Sequence, residues 1–399
     1  MALPIRWRQV LRALLDVRYL PDMLILGVVL AIQAGGASLF LWGPAAVRPR
    51  LARLALVAGA CISFGLLILG FLLRFVRVNR YFPAWWSGWG RGLILTWAFL
   101  SVLLIAATIV SRRWLQVRST YSPGRRAFLR TSQAVLLATP PIVTGYGVFI
   151  QRLNISLREQ DLAFPGLPND LDGLRIAQLT DIHLSPFLSE RELARAVDMA
   201  NETRPHLAFV TGDLITAAND PLDDCLRQLA RLRAEGGVFG CMGNHEIYAE
   251  AEDYVEQHGA RLGLRFLRSH AEHLQFGRAA INLAGVDYQS SRKPYLVGAD
   301  RLVAPGGFNI LLSHNPDVFP VAARQGYNLT IAGHTHGGQV RVEILRQDLN
   351  IARFFTPYVD GLYRRGDAAI FVSRGIGTIG LPARIGAPPE VNLLRLCRG

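Results

Sequence analysis

The residues able to do chemistry in this 399-residue chain are Asp, Asn and His, gathered in short polar clusters. Asp181 and His183 stand two apart in Thr180-Asp181-Ile182-His183. Gly212-Asp213 follows, then Gly243-Asn244-His245-Glu246, then His314, then Gly333-His334-Thr335-His336-Gly337-Gly338. Carboxylate, amide and imidazole donors suit borderline divalent cations such as manganese, zinc or iron. The donors suffice for two cations, not one. Two cations about 3.5–4 Å apart can hold a bridging hydroxide and neutralise charge on a transferring phosphoryl group. That chemistry asks little of a protein beyond placement and charge. A lone Asp-x-His or Gly-Asp is commonplace; five such elements in order are not. The chain carries no Walker-type glycine loop, no Gly-x-Ser-x-Gly and no plausible Cys–His pair, so nucleotide-driven and covalent-serine chemistry are not indicated.

The elements that must position these residues are short apolar runs ending in Gly-containing loops, separated by amphipathic stretches. Strands are predicted at 174–179, 207–210, 237–242, 281–284, 309–312, 329–332, 369–372 and 391–396. Helices are predicted at 189–201, 221–233 and 249–262. Ser189 with Glu192 three residues later has the form of a capping box. Asp181, His183, Asp213, Asn244, His245, His314, His334 and His336 all fall just past a predicted strand. Loops at strand ends are where an α/β scaffold builds a site. Early strand–helix alternation and a strand-rich second half predict a layered α/β sandwich with mixed sheets.

The ordered set Asp181-Ile182-His183, Gly212-Asp213, Gly243-Asn244-His245-Glu246, His314 and Gly333-His334-Thr335-His336 resembles the motifs of calcineurin-like metallophosphoesterases. The resemblance covers about residues 172–399. It is closest to membrane-attached bacterial members, through Ala332–Gln339, Ser373-Arg374-Gly375-Ile376-Gly377 and Pro389-Glu390-Val391. It implies that Asp181, His183 and His336 hold one metal, that Asn244, His314 and His334 hold the second, and that Asp213 bridges them. It implies that His245 faces the phosphate and protonates or stabilises the leaving oxygen, with Glu246 orienting His245. Some relatives are twin-arginine exported phosphatases; others hydrolyse the pyrophosphate of UDP-2,3-diacylglucosamine in lipid A synthesis. One departure is Pro205-His206, where the family usually has Pro-Asp; His206 precedes its strand and reads as a surface or capping residue. His258, His270 and His273 lie outside the motifs. Arg374 is open between a phosphate contact and a structural ion pair.

The remainder of the chain differs in kind. Residues 1–150 hold 17 Arg, no Lys and two acids, Asp16 and Asp22, and all seven Trp. Residues 151–399 hold 26 basic and 28 acidic residues, so the overall charge of +13 belongs to the front. Nucleic acid is therefore not an expected partner. The composition is 51% hydrophobic and 18% charged, with a mean hydropathy of +0.24, too oily for an ordinary soluble enzyme. Four apolar runs, 23–41, 54–73, 92–110 and 131–150, approach the roughly 20 residues that a bilayer crossing needs. The fourth is interrupted by Pro140, Pro141 and Gly145. Met1–Arg18, with four Arg among Leu, Val and Trp, is either an interfacial amphipathic helix or a basic flank. Arginines on the loops nearly balance across the spans, leaving orientation open. Arg125-Arg126-Ala127-Phe128-Leu129-Arg130 resembles a twin-arginine signal and favours an extracytoplasmic domain, with a cytoplasmic one as the alternative. Cys61, Cys225, Cys241 and Cys397 show no metal or disulfide spacing, and Cys61 is expected to be a small buried hydrophobe.

The expected organisation is an all-α membrane region over 1–150, a linker over 151–171 and a metallophosphoesterase-type domain over 172–399. The expected function is a phosphoesterase anchored in the cell (inner) membrane, acting with two divalent metal ions on a phosphoester or pyrophosphate. A lipid-linked substrate is plausible because a tether keeps the site near the bilayer. The alternative is a non-catalytic membrane sensor or scaffold with a structural metal site.

Overall fold

The computed structural model describes residues 20–42, 50–72, 84–116, 123–290, 294–344 and 347–399. It divides into two units, Met1–Tyr146 with Gly380–Pro382, and Gly147–Ile379 with Ala383–Gly399. The basic segment 1–18 lies outside the described residues.

The first unit is built from α1 (Leu20–Leu41), α2 (Arg50–Leu72), α3 (Ala84–Gln116) and α4 (Pro123–Phe149). Among the described residues, four stretches are long and apolar enough to cross a bilayer: Met23–Leu41, Arg50–Leu72, Gly88–Arg113 and Gly124–Leu153. They overlap the four predicted runs, the last two extending further. Most of their apolar surface faces outward, as at Leu24, Ile25, Leu54, Ile62 and Leu93. Such helices are not buried core helices of a soluble domain. Cys61 is exposed on α2, not buried as expected, because it sits on this outward face. Pro140 and Pro141 do not interrupt α4. Neighbouring helices and local adjustments can re-satisfy the freed carbonyls of a spanning helix. A polar knot joins three helices: Gln33 donates to Ser101 Oγ at 2.7 Å and accepts from Ser63 Oγ at 2.9 Å, and the Trp97 indole donates to Ser63 Oγ at 2.7 Å.

The second unit contains two six-stranded sheets. Strands of the first are β1 (Ser156–Phe164), β2 (Arg175–Leu179), β3 (Leu207–Val210), β4 (Val238–Gly240), β5 (Leu264–Phe266) and β14 (Glu390–Arg398), in the order β1-β14-β2-β3-β4-β5. Strands of the second are β6 (His270–Phe276), β7 (Ala279–Gly285), β8 (Phe308–Leu312), β9 (Leu329–Ala332), β12 (Gly361–Arg365) and β13 (Ala368–Val372), in the order β12-β13-β9-β8-β7-β6. A separate hairpin pairs β10 (Arg341–Ile344) with β11 (Gln347–Asn350). β2, β3, β4 and β5 are parallel, as are β7, β8, β9 and β13; β14 meets β2, β6 meets β7, and β12 meets β13 antiparallel.

Both faces of each sheet are covered, which is why β2, β3, β8 and β9 read as continuous apolar runs. Ile176, Phe209, Phe239 and Leu394 of the first sheet meet Ile281, Leu283, Ile310, Ile331 and Phe371 of the second in one core. Helices α5 (Glu190–Glu202), α6 (Leu222–Leu229) and α8 (Glu252–Arg261) cover the far side of the first sheet, through Leu193, Val197, Leu226 and Val255. Helix α9 (Phe319–Gln325) covers the second through Phe319 and Ala322. A short α7 (Asn244–Tyr248) follows β4. The expected capping box closes α5: Ser189 N–H donates to Glu192 at 2.7 Å, and Glu192 N–H donates back to Ser189 Oγ at 3.4 Å.

Residues 151–171 are not a linker. Ser156–Phe164 is an edge strand paired parallel with β14 over nine residues, from Ser156 with Glu390 to Phe164 with Arg398. Its sequence hides this. Leu157, Arg158, Glu159, Gln160 and Asp161 lie mostly outward, and only Leu162 and Phe164 are buried. A charged edge strand is a common defence against unwanted pairing and carries little alternation to read. β5, β6, β10, β11 and β12 were likewise not anticipated, being short or at an edge.

Candidate metal centre

Five loops converge at the carboxyl ends of β2, β3, β4, β8 and β9. They carry Asp181 and His183, Asp213, Asn244 with His245 and Glu246, His314, and His334 with His336, respectively. Parallel register explains the convergence, since Leu179 pairs with Val210, Val210 with Gly240, and Leu312 with Ile331. Each strand therefore delivers its next residues to the same edge.

Asp181, His183, Asp213, His334 and His336 all adopt positive φ, between 47° and 77°. Such backbone costs on the order of 1–3 kcal/mol per residue and persists where the surroundings enforce it. Two glycines let the loops close. A Cβ on Gly243 would lie 2.1 Å from Asp213 Oδ1, and one on Gly333 would lie 2.2 Å from Asp181 Oδ2. Any side chain there would push the loops off the carboxylates.

The donors form overlapping groups. Ligand atoms of Asp181, His183 and His336 lie within 4.8 Å of one another, as do those of Asp213, His314 and His334, and those of His183, Asp213 and His245. Nε2 of His183 and Nε2 of His336 face each other at 3.2 Å. Nδ1 of His334 and Nε2 of His314 face each other at 3.2 Å. Asp213 Oδ2 is 3.5 Å from His183 Nε2 and 3.0 Å from His314 Nε2, so one carboxylate touches both groups. Asn244 adds the sharpest sign: its Oδ1 is buried and has no hydrogen-bond partner. A buried amide oxygen left unpaired costs about 1–3 kcal/mol, which a cation would repay. Neutral imidazoles, two carboxylates and an orphan amide oxygen fit divalent cations.

Electrostatics agree with that fit. Burial holds His183 and His334 neutral, pushing each down to about 3, and also lowers His336 well below its ordinary value. His314 goes the other way. Burial, the largest influence, opposes its charge, but the Asp213 and Asp181 carboxylates and the Thr211 carbonyl together outweigh it and raise it to about 10. Burial likewise works most strongly against the Asp213 charge, and His314, His183 and His245 together overcome it, holding the carboxyl well below its usual range. Burial raises Asp181 to about 6.

Backbone groups orient the rings. His314 Nδ1 donates to the Thr211 carbonyl at 2.7 Å, leaving Nε2 to the centre. His245 Nδ1 donates to the Thr216 carbonyl at 2.7 Å. Glu246 does not orient His245, contrary to expectation. Its carboxylate accepts from Asp213 N–H at 2.9 Å, Leu214 N–H at 2.7 Å and Gly243 N–H at 2.8 Å, binding two site loops together. It lies in the first turn of α7, where its side chain turns back to the start of its own helix. Burial, then Asp213, raises its pKa.

Three residues at the site escaped the sequence reading. Arg384 is fully buried and donates to the His336 carbonyl at 2.9 Å and to the Gly377 carbonyl at 3.0 Å; its Nη2 lies 3.2 Å from His336 Nδ1. The one signal was an arginine within the apolar Gly380-Leu381-Pro382-Ala383-Arg384-Ile385. Tyr288 sets its ring 5.4 Å from His334, tilted by 53°, and Tyr248 places its ring 5.6 Å from His245. Arg374 pairs with Asp360 at 2.8 Å and Glu390 at 3.8 Å. His206 Nδ1 accepts from Arg175 N–H at 2.9 Å, at the other end of the strands. His258 stacks on Tyr254, and His270 and His273 lie on edge strand β6.

Residues 174–338 match the calcineurin-like phosphoesterase family. The second unit belongs to that family. An uncharacterized metallophosphoesterase of Bacillus subtilis is 27% identical over 279 residues, covering 68% of this chain and 97% of that one. A transmembrane protein with metallophosphoesterase domain from Danio rerio is 29% identical over 280 residues, covering 67% of this chain and 62% of that one. An uncharacterized metallophosphoesterase of Campylobacter jejuni is 29% identical over 253 residues, 60% of this chain and 63% of that one. The chain thus spans under two thirds of the last two. Calcineurin-like phosphoesterases use divalent metals, and the Asp/His clusters here are of the kind that binds them. The family match ends at Gly338, so β13, β14 and Arg384, whose side chain contacts His336, lie beyond it.

Proposed function

We propose that this chain is a membrane-tethered hydrolase of phosphoric ester or pyrophosphate bonds that works with two divalent cations. Asp181, His183 and His336 hold one cation, Asn244, His314 and His334 hold the other, and Asp213 serves both. The observation that carries the reading is the sharing of Asp213 between two imidazole groups beside the orphan Asn244 Oδ1. When bound, such a cation pair supplies Lewis-acid charge neutralisation and water activation.

The chain's own residues do the rest. His245, fixed through Nδ1 by the Thr216 carbonyl, keeps Nε2 to hold or pass a proton at the leaving oxygen. Glu246 sets the Asp213 and Gly243 loops and does not touch the reacting group. Tyr288, raised to about 12 by burial, stays a neutral phenol beside His334 and helps wall the centre from water. We place the protein in the cell (inner) membrane with the catalytic unit extracytoplasmic, on the strength of the Arg125–Arg130 segment; a C-terminal reporter fusion tests this. Lipid-linked phosphoesters, UDP-2,3-diacylglucosamine among them, are the first substrates to screen, because the spans keep the site at a bilayer.

The test is hydrolysis of a panel of phosphate mono-, di- and pyrophosphate esters by the purified full chain, with metal analysis. Asp213→Ala should lose both metal and activity. His245→Ala should lose activity and keep metal. Activity that survives chelation, or that survives in Asp213→Ala, overturns the proposal. Bound metal without turnover of any ester would favour the sensor or scaffold.

A further inference from the structure

A patch of apolar side chains stands outside the cores of the second unit. Val342 on β10, Leu349 on β11, and Ile351, Phe354 and Phe355 on the short helical turn Ile351–Phe354 and just after it are all exposed. Phe354 is 87% and Phe355 81% exposed, the highest values among the large hydrophobics of this unit. Arg353 immediately precedes them in the sequence and is also exposed. Monomeric soluble surfaces scatter such residues singly; a contiguous run of this kind marks an interaction surface. Aromatic and aliphatic residues with arginine are the composition of segments that lie in a membrane interface.

Where the patch is rooted says what covers it. The last turn of α4, from Gly147, belongs to the second unit. Arg384 N–H donates to the Gly147 carbonyl at 3.2 Å, and Gly386 N–H donates to Gln151 Oε1 at 3.0 Å. On its other side the same segment receives β10: Arg341 N–H donates to the Ile385 carbonyl at 2.7 Å, and Val340 bridges Ile385. Residues 384–386 therefore fasten the end of the Gly124–Leu153 span to the base of the exposed hairpin. The span reaches Leu153, within the second unit and three residues before β1 begins at Ser156, so only a short stretch of chain separates the second unit from the bilayer that carries the span. The patch is also fastened to the metal centre. Asn350 donates to the Gly337 carbonyl at 3.0 Å and caps the Ile351–Phe354 turn by accepting from Ala352 N–H at 3.0 Å.

We propose that the β10–β11 hairpin and the Ile351–Phe355 turn insert into the lipid interface of the bilayer that carries the spans. There they hold the His334–Gly338 turn at the membrane surface, and the substrates favoured are phosphoesters displayed by lipids. The surface binding stands independently of the catalytic reading; the substrate preference rests on it.

The test uses the full chain reconstituted into vesicles of phosphatidylethanolamine and phosphatidylglycerol. Phe354→Cys is labelled with bimane in a background carrying Cys61→Ala and Cys397→Ser, since Cys225 and Cys241 are buried. Lipids bearing a nitroxide on the acyl chain should quench this label. They should leave a label at Glu235→Cys, at the opposite end of the strands, unquenched. Absence of quenching at 354, or equal quenching at both positions, overturns the proposal whether or not the protein is an enzyme. A second arm compares bis(p-nitrophenyl) phosphate in solution with an acyl-chain nitrophenyl phosphodiester in the same vesicles. Phe354→Asp with Phe355→Asp should lower hydrolysis of the vesicle-borne ester about tenfold, the cost of about 1.4 kcal/mol of lost surface engagement, and leave the soluble ester unaffected. Equal loss on both esters overturns the substrate preference. A wild-type chain that cleaves neither ester overturns the substrate preference, while the quenching alone carries the surface binding.

Discussion

Binding of a divalent cation to the metal-depleted protein should expel a proton from one identified ring. With Nδ1 donating to the Thr211 carbonyl, the second proton of His314 sits on Nε2, 3.0 Å from Asp213 Oδ2. The carboxylate raises His314 to about 10, so near neutrality this ring is charged and its Nε2 is blocked. His183 and His334, at about 3, bring no proton to displace. Titration of manganese near pH 8 should therefore release about one proton per protein, and apparent affinity should climb about tenfold per pH unit until His314 deprotonates. Between pH 7 and pH 9 that amounts to about a hundredfold. Toward pH 5 the count should rise to about two, because Asp181, raised to about 6 by burial, also becomes protonated. Calorimetry in buffers of different ionisation enthalpy reads the count from the slope. No proton release by the unaltered protein near pH 8, or pH-independent affinity, would show that His314 is neutral and that the Asp213–His314 ion pair is misread.

Arg384→Met should lower occupancy of the Asp181/His183/His336 group while sparing the other, with affinity falling roughly 10–100-fold as for loss of other supporting hydrogen bonds; metal stoichiometry of the purified variant checks it. Glu246→Ala leaves three buried backbone N–H groups without their acceptor. At about 1–3 kcal/mol each, it should cost on the order of 3 kcal/mol or more, seen as a lower unfolding temperature. The metal-free second unit should also lose stability in acid. His183, His334 and His336 have folded pKa values depressed below 6.5, so the unfolded chain binds more protons and stability falls as pH drops below about 6.5. His314, raised to about 10, contributes stability that is fully present below its unfolded value of about 6.5 and fades as pH climbs through about 10. A thermal-shift series against pH should peak between those limits; highest stability near pH 4 would contradict these assignments.

What the sequence disclosed followed physical rules. Buried parallel strands such as Leu207–Val210 and Leu329–Ala332 are apolar on both faces, so their ends could be placed, and the polar residues after them stood out. Spans were legible because a bilayer demands unbroken apolar length, although Pro140 and Pro141 misled by the habits of soluble helices. Edge strands were not legible. β1 exposes its charges, and its partner β14 lies more than two hundred residues away, so no local pattern records the pairing. Arg384 was hidden for the same reason. Its partner His336 lies 48 residues earlier in the chain, so no local pattern records that contact.

The hardest feature to foresee is the one that makes the centre work. Asp181, His183, Asp213, His334 and His336 hold left-handed backbone although none is glycine. Residue type does not ask for that conformation; the neighbours impose it. Asp181 Oδ1 and Oδ2 accept from His334 N–H at 2.9 and 3.0 Å, and Asp213 Oδ1 accepts from His245 N–H at 3.0 Å. Each carboxylate thus anchors another loop with one edge while its remaining lone pairs face the imidazoles. Those bonds require the backbone to come within reach of the carboxylates, and Gly243 and Gly333 are what leave the space. The glycines in the two motifs therefore serve the carboxylates of the other motifs, not their own loops. Gly333→Ala tests this directly: the added methyl would meet Asp181 Oδ2, so cation binding should fail at the Asp181 group while the strands beneath stay folded. Unaltered metal content in that variant would mean that the loops have slack, and that the strained backbone is not set by the convergence of the carboxylates.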